Sequence, residues 1–83
     1  MKFKLSHHAT TVLDERKIKE DWLIQVIENP LSIENDREDP ELLHHLGKIS
    51  DFENRVLRVI IKKETSPIEV ITAYFDRKMK GKL

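Results

Sequence analysis

The chain has 83 residues, a formal net charge of zero and no cysteine, with 39% hydrophobic and 36% charged residues. A chain this short has room for one domain, 1–83, with a thin core under a charged surface, and disulfides, thiolate metal sites and cysteine nucleophiles are excluded. No stretch approaches the ~20 apolar residues of a membrane span and Met1-Lys2-Phe3-Lys4-Leu5 contains no apolar leader region, so a cytoplasmic protein without a membrane partner is expected.

The charge is unevenly spread. Residues 14–41 carry ten acids and four bases, whereas residues 42–83 carry nine bases and five acids. An acidic helical half and a basic sheet-and-tail half follow. The neutral total argues against a general nucleic-acid binder, and the basic C-terminal half argues for one.

In chain order, Phe3-Lys4-Leu5 alternates and predicts a short strand. Ser6 stands where an N-cap belongs, its hydroxyl placed to accept from the N–H of His8 or Ala9. A helix follows from His7 to about Arg16, with Ala9, Val12, Leu13 and Arg16 on one stripe. The second helix carries Ile18, Trp22, Leu23, Val26 and Ile27 at helical spacing. Glu20 and Asp21 suit its first turn, and Asn29-Pro30 ends it. Leu31–Glu34 alternates as a strand, and the acidic stretch 35–41 with Pro40 is a loop. Leu42–Ile49 is a strand in which Gly47 marks a bulge or a close approach. Turns at 51–54 and 63–67 separate the β-branched runs 55–62 and 68–75. The tail 76–83 carries Arg77, Lys78, Lys80 and Lys82 and is expected to be loose at its end.

Helices first and consecutive strands afterwards predict an α+β fold, two N-terminal helices packed on one face of a curved antiparallel β-sheet. Strict alternation puts Leu57, Val59 and Ile61 under the helices, with Val56, Arg58 and Ile60 on the opposite, partly open face. On the next strand it sets Ile71, Ala73 and Phe75 against Ile68, Val70, Thr72 and Tyr74. Arg58 then falls within reach of Thr72 or Tyr74.

No phosphate-cradling glycine loop, nucleophile elbow or metalloprotease helix motif occurs, and neither a cofactor nor a metal is expected. The histidines form two adjacent pairs, His7-His8 and His44-His45, of which neighbours diverge, so at most one of each pair enters a shared site. Each is either a surface or capping histidine or an acid–base group, whose ordinary pKa of about 6.5 suits proton transfer near neutrality. Arg58 lies in an apolar run and must find an anionic partner or water. That partner is Glu69 or Asp76 in a structural reading and a phosphate in a functional one. Tyr74 is either a half-buried strand aromatic or a phenol beside a scissile phosphate. The tail cations are solvated charge or a guide for a polyanion.

Ser6-His7-His8-Ala9 opening a helix, Arg16 closing it and Ile18 opening the next are followed in order by Glu28-Asn29-Pro30, His45-x-Gly47, Leu57-Arg58-Val59 and Val70-Ile71-Thr72-Ala73-Tyr74. Over residues 5–77 this series resembles a small bacterial family, domain of unknown function 4258, placed among the RelE/ParE-like toxins. The resemblance implies a RelE-like fold and metal-independent RNA cleavage, in which a base activates the ribose 2′-hydroxyl against the adjacent phosphate. It implies His7 or His8 as acid–base group, Arg58 as phosphate clamp and Tyr74 or Thr72 as a further hydrogen-bonding group. Arg16, His45 and Arg77 are substrate-binding candidates. RNA, a cognate antitoxin or another protein are the partners it implies. Two other readings compete: a non-enzymatic binding module or ParE-like inhibitor of a protein target, and a homo-oligomer pairing exposed strand faces.

Overall fold

The computed structural model describes residues 2–83. Strand β1 (Phe3–Leu5) leads into helices α1 (His7–Glu15) and α2 (Glu20–Glu28). Strands β2 (Ser32–Asn35), β3 (Leu42–Ile49), β4 (Arg55–Lys62) and β5 (Ile68–Phe75) follow. Short 3-10 turns occupy Ser50–Phe52 and Arg77–Met79. The fold is α+β: both helices pack on a single five-stranded sheet of order β1-β5-β4-β3-β2. Three of its ladders are antiparallel, while β1 joins β5 in parallel.

Local chemistry accounts for the helix boundaries. The Ser6 hydroxyl accepts from the N–H of Ala9 at 3.0 Å and caps α1 as expected. At the other end Arg16 is the cap, and Lys17 takes a left-handed φ of 56°. The N–H of Ile18 then donates to the carbonyl of Leu13, which reverses the chain toward α2. Ile18 itself lies just outside α2 but is buried, so the apolar stripe extends one turn beyond the helix. Asn29 ends α2 ahead of Pro30.

The core lies between the helices and one sheet face. Trp22, Leu23, Val26 and Ile27 of α2 and Ala9 and Leu13 of α1 meet Leu57, Val59 and Ile61, as the alternation of β4 predicts. Strand β5 departs from strict alternation. Ile60 pairs with Thr72, but Ile61 pairs with Val70, so Ile71 is an extra residue in the ladder. This bulge moves Val70 to the core face with Ala73 and Phe75, and leaves Thr72 and Tyr74 beside Ile60 and Arg58. A pattern read at period two cannot show such a shift.

Gly47 is a close approach rather than a bulge, since its ladder to β4 is regular. A Cβ at Gly47 would lie 3.0 Å from Cγ2 of Val26, so α2 can sit on β3 only because that atom is missing. The far face is closed at one end. The turn 77–79 packs against β4, Lys48 donates to the carbonyl of Leu83 at 3.2 Å, and Val56 and Leu46 are buried. The tail therefore folds back onto the sheet.

Gly47→Ala is expected to lower unfolding stability by about 1–3 kcal/mol through overpacking. In a Val26→Ala background, where the opposing methyl groups are gone, the same change should cost clearly less in urea denaturation. Equal costs in the two backgrounds would contradict the close-approach assignment.

Candidate functional site

Helix α1 is stitched along the exposed edge of bulged β5. The Ser6 N–H donates to the carbonyl of Val70 at 3.0 Å and the Ser6 hydroxyl to that of Ile71 at 2.9 Å. Next along, His8 Nε2 is 3.2 Å from the Thr72 hydroxyl, and Arg16 Nη1 donates to the Ala73 carbonyl at 2.7 Å. Edge groups that would otherwise be left to solvent are satisfied in sequence by one helix. His7 is exposed on the first turn of α1.

Arg58 is the centre of a polar network on the far sheet face. Its Nε donates to Asp76 Oδ2 at 3.0 Å, and Nη2 lies 2.9 Å from the same oxygen. Its Nη1 donates both to Glu34 Oε1 at 3.0 Å and to His44 Nδ1 at 2.8 Å. Because a guanidinium can only donate, Nδ1 of His44 must be an acceptor. The other ring nitrogen, Nε2, is 2.7 Å from Asp36 Oδ1 and donates to that carboxylate. Asp36 also accepts from the N–H groups of Asp39 and Glu38. These backbone bonds, led by Asp39, and the His44 bond hold its carboxyl below the usual range. Burial opposes the charge of Arg58, whose side chain is only 11% exposed. Hydrogen bonds to Glu34 and Asp76 outweigh that cost and raise its pKa above the ordinary value.

Beside this network a hollow of about 660 Å³ opens over the end of the sheet. Arg16, Arg55, Arg77 and Lys80 surround it, Phe52 and Phe75 form its apolar floor, and Tyr74 and Asp76 stand on the side toward Arg58. The floor is rigid: Phe52 stacks on Trp22 of α2 at 5.6 Å between centroids, and Phe75 meets both rings at 5.8 and 4.9 Å. Arg55 lies over the Phe52 ring at 4.5 Å. A shallower hollow of about 460 Å³ covers Glu34, Asp36, His44 and Arg58 on the other side of Tyr74 and Asp76.

Among the residues singled out by sequence, Arg16, Tyr74 and Arg77 are brought together in the larger hollow. Arg58 and Tyr74 are cross-strand neighbours, but the guanidinium is engaged by Asp76, one of its two expected carboxylate partners. Thr72 holds His8 two residues along β5 from Tyr74. His45 is elsewhere. It faces the helices, is 9% exposed, and its Nδ1 has no hydrogen-bond partner among the described residues. Burial pushes its pKa below the ordinary value, only partly offset by the carbonyls of Ile27 and Val26. Sequence reading carried His45 rather than its neighbour His44 into the site and did not single out Glu34, Asp36, Phe52 or Arg55, because their meeting depends on strand register. Among the described residues no three His, Cys, Asp or Glu side chains are arranged to hold a metal ion, and no helix is long and apolar enough to cross a membrane.

The sequence model of a domain of unknown function, DUF4258, matches residues 5–75, and the chain belongs to that family. No curated protein and no solved structure matches it. The positions Ser6, Ala9, Arg16 and 70–74 that carried the resemblance are largely the ones that join α1 to β5.

His45 gives a pH prediction with a definite sign. Above about pH 6.5 the imidazole is neutral in both folded and unfolded chains and has no effect. As pH falls below that value the unfolded chain takes up the proton first, so stability drops until the depressed folded value is passed. Urea unfolding between pH 7.5 and 5 should show this loss in the wild type, and His45→Leu should flatten it. An unchanged pH slope in the variant would contradict the assignment.

Proposed function

We propose that the chain is an RNA-binding domain of the RelE-like toxin type, gripping single-stranded RNA in the cationic hollow and cleaving it without a metal. The observation that carries this reading is the convergence of Arg16, Arg55, Arg77 and Lys80 on a floor of Phe52 and Phe75 with the Tyr74 phenol alongside. Cations around a groove track phosphates, and aromatic faces accept bases of any identity by stacking. A local cluster of four bases at one hollow is compatible with RNA binding even at a net charge of zero.

In the cleavage step the ribose 2′-oxygen attacks the adjacent phosphorus as its proton is removed. The bond from phosphorus to the 5′-oxygen then breaks, and that oxygen takes up a proton, leaving a cyclic phosphate and a free 5′-hydroxyl. The surrounding cations stabilise charge building on the phosphoryl oxygens. Tyr74 lines the hollow as proton donor to the leaving oxygen. His8, held on Thr72 along the same strand, is the imidazole that serves as base. Arg58 acts at one remove, holding Asp76 and the start of the tail in place.

A second reading, a non-enzymatic binder or ParE-like inhibitor of a protein target, draws support from Arg58. Two carboxylates and an imidazole occupy the guanidinium that the resemblance makes a phosphate clamp.

Fluorescence anisotropy with single-stranded RNA separates the readings. Wild type should bind with an affinity that falls as salt rises, and Arg77→Ala with Lys80→Ala should weaken it roughly tenfold. Tyr74→Phe and His8→Gln should each slow cleavage by about 100-fold while leaving affinity nearly unchanged. RNA bound but left intact would favour the binding module, and a wild type that binds no RNA would sink both the grip and the cleavage.

A further inference from the structure

Strand β2 is the last in the sheet, and among the described residues no strand pairs with its outer side. The N–H of Asp36 donates to the carbonyl of Leu42, so Asp36 and Leu42 form a hydrogen-bonded pair. Antiparallel ladders alternate bonded and non-bonded pairs, which makes Glu34 with His44 and Ser32 with Leu46 the bonded ones. The N–H and C=O groups of Ile33 and Asn35 therefore point away from β3, toward solvent. Leu31 and Ile33, the large apolar side chains left exposed by the fold, sit on this same edge at 58% and 54% exposure. Sheet edges are ordinarily blunted by lysine, proline or a covering loop, and this edge has an apolar side chain in the position where a blocking charge would stand.

The charge around the edge is mainly acidic, with Lys63 Nζ donating to Asn35 Oδ1 at 3.1 Å as a cation on β2 itself. Residues 28–41 contain six carboxylates and one arginine. Glu34 and Asp36 turn inward to Arg58 and His44, whereas Glu38, Asp39 and Glu41 lie exposed in the loop that continues β2. The nearest cation to Glu41 is Lys62 at 3.9 Å, itself half-buried.

We propose that this edge receives an extended basic segment of a partner protein, in which apolar residues alternate with lysine or arginine, as a sixth strand. Its backbone pairs with the outward groups of Ile33 and Asn35, and its apolar side chains cover Leu31 and Ile33. Its cationic side chains meet Glu38, Asp39 and Glu41. A second copy of this chain fits less well, since it would present the same acidic segment to itself. The surface is separate from the RNA hollow, where four cations face a single carboxylate, Asp76.

The test uses a short synthetic peptide of alternating valine and lysine and a matched peptide of alternating valine and glutamate, with binding read by amide NMR. The lysine peptide should bind, slow hydrogen exchange at the Ile33 and Asn35 amides, and lose affinity as salt rises. Ile33→Pro removes only an outward-facing N–H and leaves the ladder to β3 intact, so the variant should stay folded and bind at least about tenfold more weakly. Glu38→Lys with Asp39→Lys should have a similar effect, and the glutamate peptide should bind at least about tenfold more weakly than the lysine one. Failure of the lysine peptide to bind, equal binding of the two peptides, or indifference to Ile33→Pro would overturn the proposal. A concentration-dependent dimer that Ile33→Pro dissolves would overturn it as well, by assigning the edge to a second copy.

Discussion

A single guanidinium in the middle of a sheet face organises the polar half of this molecule. Arg58 sits at the centre of β4, in a run of Val, Leu and Ile, where its charge cannot stay unpaired without a cost of several kcal/mol. Asp76 lies just past the end of β5, Glu34 comes from β2 at the sheet's edge, and His44 stands on β3 between them. Four segments distant in sequence are thus held by one planar donor group whose geometry suits forked contacts. Direction as well as energy is fixed: Asp76 turned toward Arg58 starts the tail across the end of the sheet. His44, accepting from Arg58, must present its proton to Asp36, which in turn orders the start of the acidic loop through backbone bonds.

The two proposed binding surfaces follow from that arrangement. Tyr74 and Asp76 form the divide between the ion-pair network and the cationic hollow, so the cations on the far side are kept apart from Glu34 and Asp36, and of them Arg55 pairs with exposed Glu53 at 3.1 Å. On the other flank, the network draws Glu34 and Asp36 inward and leaves the remainder of the acidic loop facing solvent beside the β2 edge. The uneven charge along the chain thereby becomes a spatial segregation, basic over the β5 end and acidic around β2. Under the proposed readings, opposite charge on separate surfaces would let one small domain bind a polyanion and a cationic peptide without either competing for the other's site.

Much of the fold was legible because local signals agreed. Trp22, Leu23, Val26 and Ile27 could face only one way on a helix that Asn29-Pro30 had to end, and Ser6 had a free donor three residues on. Gly47 announced a close approach, although only the helix position identifies Val26 as the neighbour. The parallel pairing of β1 and the bulge at Ile71 were not legible, because both are matters of register between strands distant in sequence. The same limit governs the site. Adjacency shows that His44 and His45 must part, but register decides that His44 joins Arg58 while His45 goes under α2. Asp76 was a named partner for Arg58, whereas Glu34 reaches it across β3 and leaves no local trace. Arg16, Tyr74 and Arg77 were candidates from different segments, and the fold brings them to one hollow together with the unanticipated Phe52 and Arg55.

If Arg58 is the clamp described here, its energy must be shared with Asp76 rather than reserved for a ligand. The coupling between the two is measured directly by a double-mutant cycle in urea, using wild type, Arg58→Met, Asp76→Asn and the double variant. The account predicts a coupling energy of about 1–3 kcal/mol, as expected for a largely desolvated, forked ion pair. Single-variant losses that simply add, to within about 0.3 kcal/mol, would contradict it. They would show a guanidinium that the folded chain does not itself require.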